Sequence, residues 1–295
     1  MTATTLELRD LSPILPGVAY EGGFLLDGKK LPFYSFCQPD EKAHWSNGMT
    51  EFIAEASKTH FIDRYNRTLA LEGIMPKLSH AGATYIDLGC SSGYMLEDAA
   101  TAFPQAMLFG SDYFGSGLVQ CHNALPNIPL LQMDVTQCPL PDNSFDAITC
   151  LNVLEHIPDD VKALKELYRL IRPEGRLVIT VPMSPQLYDM TDEVHFHCRR
   201  YGWKELHEKV TQTGFKILFM NYFGVFVYPP FYLQKRLNQF RYRRHTFDQK
   251  HQIALHQARR TGRVLWMEKL CDWEKRLGQR IRYPFGIRTF VVATK

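Results

Sequence analysis

The sequence predicts an α/β fold built on a doubly wound, mostly parallel sheet. Three observations lead there. From residue 84 onward, short apolar runs of strand length alternate with amphipathic stretches of helix length. The run Tyr85-Ile86-Asp87-Leu88-Gly89-Cys90-Ser91-Ser92-Gly93-Tyr94 passes from a strand through a small-residue turn into a helix. Polar residues also close successive strands: Asp87, Asp112, Asp134 and Asn152. In open parallel sheets, ligands bind at those carboxyl ends.

In chain order, residues 1–45 read as an arm with a hairpin, Phe24-Leu25-Leu26 and Leu31 to Phe36 around an Asp27-Gly28 turn. Residues 46–80 read as a helical cap, with Phe61, Tyr65 and Leu69 forming an i+4 stripe. Residues 81–230 form the core. Its strands are expected at 84–88, 106–111, 130–133, 145–150 and 176–181, and its helices at 94–103, 115–124 and 159–171. Residues 231–283 form a helical insertion, and 284–295 the last core strand.

Composition fits a packed globular chain of 295 residues, with 45% hydrophobic and 13% aromatic residues. The net charge of +3 conceals a split. Residues 231–283 hold 14 Lys/Arg and 4 Asp/Glu, so the rest of the chain is acidic. Seven scattered cysteines without a C-x-x-C pair argue against structural zinc and fit a reducing, cytoplasmic setting. Neither a secretory leader nor a membrane-spanning apolar run is expected.

Glycines at 89 and 93 let the backbone turn and approach a ligand, and the following helix start offers N–H groups to an electron-rich one. Dinucleotide turns carry G-x-G-x-x-G, whereas this one carries D-x-G-x-x-x-G. It resembles motif I of the class I S-adenosylmethionine (SAM) methyltransferases. The resemblance extends through Leu140 to Ile148, Leu151 to Ile157 (LNVLEHI) and Arg172 to Pro182, and covers roughly residues 58–228. These stretches are similar to the type 11/12 methyltransferases, in a subgroup associated with glycan or natural-product biosynthesis. One departure is Cys90-Ser91-Ser92, where a glycine is commoner at position 91. The resemblance implies a Rossmann-like sheet with an antiparallel last strand and SAM as cofactor. SAM would be held by Asp87, Gly89, Cys90, Ser91, Gly93, Asp112, Tyr113, Asp134, Val135 and Asn152. Asp112 lies about 20 residues beyond the glycine turn, the position of a ribose-binding carboxylate. Asp134 and Val135 would meet the adenine, with Tyr113 flanking it.

Methyl transfer to an alcohol benefits from a general base. The long segment 182–202 and the end of the fourth strand supply the candidates His197, His195, His156, Tyr201 and Arg200. The subgroup's Asp…His…Arg-Arg-Tyr pattern maps onto Asp192, His197, Arg199, Arg200 and Tyr201, with His195 outside it. For His197, base and structural pin are both open. His195-x-His197 could supply two metal ligands, but no third is evident in sequence, so no metal is expected.

Nucleobase chemistry is disfavoured, because Cys150 lacks a preceding proline and Asn152 is followed by Val153. The expected activity is methylation of a small-molecule, lipid-linked or glycan-precursor acceptor, at oxygen. The rivals are a non-catalytic SAM-fold interaction protein and an RNA methyltransferase. In the insertion, Trp266, Leu270, Trp273, Leu277 and Ile281 define one apolar helix face. That face could pack on the core, on a second subunit of a homodimer, or on a membrane surface, and nucleic acid is the least favoured partner.

Overall fold

A computed structural model describes residue 11 and residues 14–37, 60–260 and 265–295, with backbone alone at 258–260 and 265–268. Eight strands form the main sheet. They are β4 (Tyr34–Ser35), β5 (Thr84–Leu88), β6 (Met107–Asp112), β7 (Leu130–Gln132), β8 (Phe145–Leu151), β9 (Ile171–Pro182), β10 (Lys216–Phe223) and β11 (Arg288–Thr294). Their order is β10-β11-β9-β8-β5-β6-β7-β4. Neighbours from β9 to β4 are parallel, and β11 is antiparallel to both β9 and β10. The order therefore reverses at β5, which pairs with β6 on one side and β8 on the other. That reversal opens a crevice at the carboxyl ends of β5 and β8.

Residues alternate between the two faces of β5, as its pleat requires. Tyr85 joins one apolar cluster, and Ile86 and Leu88 join the other. The Tyr85 face is covered by α1 (Phe61–Leu78), α2 (Tyr94–Ala102) and α3 (Gly115–Ala124). The other face is covered by α4 (Asp160–Leu170) and α6 (Trp203–Gln212), together with the amino-terminal meander. The short α5 (Met190–Val194) lies between β9 and α6. Asp159 caps α4 by accepting a hydrogen bond from the Lys162 N–H at 3.0 Å.

The meander is β1 (Ala19–Tyr20), β2 (Phe24–Leu26) and β3 (Lys29–Leu31). Asp27 and Gly28 both take positive φ, 48° and 74°, which a two-residue hairpin turn of this hand requires. The arm also supplies β4, so it extends the main sheet itself. In the cap, residues 50–59 lie outside the described residues. Helix α1 lies flat on the sheet: a Cβ on Gly73 would come within 2.7 Å of Val178 on β9.

Between β10 and β11 run α7 (Tyr228–Arg241), α8 (Phe247–Arg260) and α9 (Leu265–Gly278). The expected apolar face of α9 does not pack whole on the core, though Leu270 does. Trp273 is 65% exposed and Ile281 45%, while Cys271 and Glu274 face inward. Trp266 is not among the described side chains. The cause is Glu274, whose carboxylate accepts N–H bonds from Gly224 (2.7 Å), Val225 (2.8 Å) and Phe226 (3.3 Å). Satisfying that turn outweighs burying one tryptophan, because unpaired buried N–H groups are costly. Truncating Glu274→Ala is expected to cost about 3 kcal/mol in denaturant unfolding, and Glu274→Gln clearly less, since one acceptor oxygen survives. Equal losses would show that helix packing, not the carboxylate, holds the turn.

Candidate active site

The glycine turn closes on its neighbours before any ligand arrives. The Gly89 and Cys90 N–H groups both donate to the Ser111 carbonyl, at 2.7 and 2.8 Å. Gly89 has φ 82°, and a Cβ there would lie 2.2 Å from Val153. Gly93 has φ 86°, and a Cβ there would lie 2.3 Å from the Cys121 sulfur. The two glycines thus let the loop pack between the β8 exit and α3. The Cys90 side chain is buried beneath the loop and is a packing residue. Ser91, at the position where a glycine is commoner, holds φ 46°. A serine in that left-handed region is strained.

Asp87 is buried and accepts a hydrogen bond from Thr149 Oγ at 2.6 Å. Burial raises its pKa to about 7, against the opposing effect of that bond. Asp112 ties the loop to its own strand: one oxygen accepts the Ser91 N–H and the other the Phe114 N–H, both at 2.9 Å. Each carboxylate oxygen keeps a second lone pair, the arrangement that grips a vicinal diol. Tyr113 and Val135 are half-buried, and Asp134 accepts from the Thr136 N–H at 2.8 Å. Asn152 takes φ 55°, and its buried Oδ1 has no hydrogen-bond partner.

Across the rim, the segment after β9 is held by one buried ion network. Asp189 caps α5, and Asp192 closes the capping box. Lys235 of α7 reaches both carboxylates, at 2.6 and 2.9 Å. Asp192 also accepts from His197 Nδ1 at 2.9 Å and lies 3.6 Å from Arg200. Burial alone would raise the Asp192 pKa, but the His197 bond and the charges of Lys235 and Arg200 hold it well below the usual carboxylate range. Burial lowers His195 to about 4 and His156 to about 3, so both rings are neutral at pH 7. The His156 and His197 rings stand edge to face, with centroids 4.8 Å apart. His195 lies beside His197 at 5.7 Å. Phe196 between them holds φ 55°, a strained value for a bulky residue.

Two catalytic candidates are corrected. Tyr201 is fully buried, and its hydroxyl donates to Asp160 at 2.7 Å and to the Leu154 carbonyl at 3.1 Å. It pins the segment to α4 and cannot reach the crevice. Arg200 is buried, with Nε donating to the Met183 carbonyl at 3.1 Å and its guanidinium over the Phe231 ring. It joins β9, α5 and α7. His197, His195 and His156 do gather on one side of the rim.

The Methyltransferase domain family model matches residues 86–179, the span from β5 to β9. Residues 86–179 thus carry a methyltransferase domain, similar to those of the class I SAM-dependent methyltransferases. A probable SAM-dependent methyltransferase of Mycolicibacterium smegmatis is 26% identical to this chain over 153 residues, 50% of this chain and 58% of that one. A ubiquinone biosynthesis O-methyltransferase of Pseudomonas putida is 30% identical over 126 residues, 41% of this chain and 53% of that one. The chain thus spans about half the length of the curated relatives it matches. Among solved structures, phosphoethanolamine N-methyltransferase 2 of Haemonchus contortus, in complex with SAM, superposes with a TM-score of 0.57. That match has 18% identity and covers 86% of this chain and 58% of that one, which is a likeness of fold.

The chemistry of the residues at the strand ends is compatible with SAM. An orphaned Asn152 oxygen and a carboxylate at Asp87 suit a cationic ammonium group, and the free lone pairs of Asp112 suit a ribose. Sequence reasoning missed two cations. Arg67 of α1 pairs with Asp98 at 2.7 Å and lowers the Asp87 pKa through its charge, which places it beside the glycine turn. Lys235 looked like one member of a solvated basic run. Only its i+3 companion Asn238, which bonds Asp189 at 2.8 Å, hints at an inward polar face.

An acid whose folded pKa exceeds its unfolded value contributes stability at low pH and loses it as pH rises through the folded value. For Asp87 that window runs from 3.8 to about 7. The Asp87→Asn variant is therefore expected to gain thermal stability relative to wild type across this interval, while binding SAM at least about tenfold more weakly. A stability difference that does not vary with pH would remove Asp87 as a buried titrating group.

Proposed function

We propose that this chain transfers the methyl group of SAM to a hydroxyl of a small-molecule, lipid-linked or glycan-precursor acceptor. The observation that carries the reading is that the segment bearing His197 docks just beyond the β8 exit, where the Cys198 N–H donates to the Glu155 carbonyl at 2.7 Å. Asp87, Asp112, Asp134 and Asn152 close successive strands, and the Asp192–His197 pair lies in the docked segment. SAM supplies an electrophilic sulfonium methyl, a group with a good leaving atom already attached. The protein's work is therefore to place an acceptor lone pair in line and manage its proton. His197, oriented by Asp192, is the best-placed side chain for that task. Methyl transfer from labelled SAM to a panel of hydroxylated acceptors tests the reading. His197→Ala is expected to lower turnover by about a hundredfold with SAM affinity kept. A collapse of SAM affinity would make His197 a structural pin.

A lipid-linked acceptor is supported by the outer face of α7. Leu233, Leu237 and Phe240 form an i, i+4, i+7 row, and Phe240 is 87% exposed. Arg236, Arg241, Arg243 and Arg244 are exposed beside it. Apolar and basic residues side by side suit an anionic interface. No helix among the described residues is long and apolar enough to cross a membrane. The protein is expected to pellet with phosphatidylserine-containing vesicles and not with neutral ones, and Phe240→Glu to remain in the supernatant. Equal pelleting of variant and wild type would leave a free acceptor as the better reading.

A further inference from the structure

Beyond the methyl-transfer reading, the rim holds a second group of side chains that the cofactor does not need. Glu155 and His156 sit in a single 3-10 turn, Leu154–His156, directly after β8. The fold brings His197 to them from the segment after β9. One donor atom from each of Glu155, His156 and His197 lies within 4.8 Å of the others.

The Glu155 side chain is 1% exposed, and its Oε2 is buried without a hydrogen-bond partner. A carboxylate oxygen in that state wants a cation. Among the described residues, none of the nearby cations forms a hydrogen bond or ion pair with Glu155, although Arg200 Nη1 is itself buried without a hydrogen-bond partner. Lys235 and Arg200 face Asp189 and Asp192, and Arg288 pairs with Asp63 at 2.6 Å.

Both imidazoles are prepared as ligands. His197 Nδ1 is held by Asp192 at 2.9 Å, which leaves Nε2 for another partner. The His156 ring stands edge to face against the His197 ring, with centroids 4.8 Å apart, which restricts its orientation. A metal-ligating histidine commonly has a carboxylate partner on its other nitrogen, as His197 has in Asp192.

We propose that Glu155, His156 and His197 bind one divalent transition-metal ion, and that Lys235 of the insertion sets the site by fixing Asp192. Two histidines and a carboxylate suit zinc or a neighbouring first-row ion and leave coordination positions open. Ligands 2.1 Å from such an ion lie about 3.4 Å apart in a tetrahedron, so the three groups draw together by about 1 Å on binding. With the ion bound, both His197 nitrogens are used. The ion, by polarising an acceptor oxygen, then takes the place of His197 as the group that eases loss of the acceptor's proton. This purpose rests on the methyl-transfer reading. The ion's binding does not.

The test titrates chelator-stripped full-length protein with Co2+, read by visible absorption, and with Zn2+ by competition. Wild type is expected to take one equivalent. Glu155→Gln and His156→Gln should each weaken binding at least about tenfold, and Lys235→Met, which touches no ligand, by about tenfold. SAM calorimetry on each variant checks that it is folded. Cys198 is exposed and lies 3.5 Å from the His156 carbonyl, so Cys198→Ser is the control and should bind as wild type. The proposal is overturned if wild type binds neither ion. Binding that survives Glu155→Gln and His156→Gln, or is lost in Cys198→Ser, overturns it equally. Labelled-methyl transfer with and without chelator separates this failure from failure of the methyl-transfer reading.

Discussion

The acceptor side of the rim depends on the burial of Asp192. A carboxylate taken out of water must be paired, and removing one partner leaves the charge uncompensated. Asp192 collects its partners from three places: His197 in its own segment, Arg200 just before α6, and Lys235 from α7. That single requirement makes the insertion part of the site. Without Lys235, two buried carboxylates would stand side by side, and the segment carrying His195 and His197 would have no reason to keep its strained turn at Phe196.

The cofactor side is set by a different constraint. A parallel sheet whose strand order reverses at β5 leaves strand exits facing one crevice, and the pairing Asp87↔Thr149 brings β5 and β8 into register beneath it. Asp112 then holds the glycine turn through Ser91 and its own strand through Phe114. The loop is thereby preorganised, and binding need not pay to order it. Of the seven non-glycine residues with positive φ among the described residues, Ser91, Asn152, Ser184 and Phe196 lie at this edge, while Asp27, Asn143 and Glu174 lie elsewhere. Strain of this kind collects where surrounding structure overdetermines a conformation, as binding sites do.

Much of this was legible in the chain because it is local. The expected strand at 84–88 and helix at 115–124 match β5 and α3, since hydrophobic period and turn chemistry act over a few residues. The carboxylates after β5, β6 and β7 were legible for the same reason. What sequence could not show is which side of an element faces in. Tyr201 looked like a rim residue and is a core pin. Trp273 lay on a face that could meet the core, a second subunit or a membrane, and it does not reach the core, because Glu274 had backbone donors to satisfy. Glu155 passed as a bystander beside His156, since adjacent residues meet at one point only in a tight turn that the period does not announce. Lys235 could not be distinguished from its basic neighbours, because pairing is a tertiary fact.

The polarity of α7 follows from the same network and goes one step further. A helix that turns Lys235 and Asn238 inward, toward Asp189 and Asp192, has used its inner stripe for polar groups. Its apolar residues are left for the outer stripe, the reverse of an ordinary surface helix. Core packing therefore explains Lys235 but not Phe240, which touches little of its own chain. Isolated exposed apolar residues are common, but a row at helical spacing flanked by arginines is not the default of a solvated surface. The physical cause of that row lies outside the described chain. The anionic interface proposed above would account for it, on the same helix whose Lys235 pairs with Asp189 and Asp192.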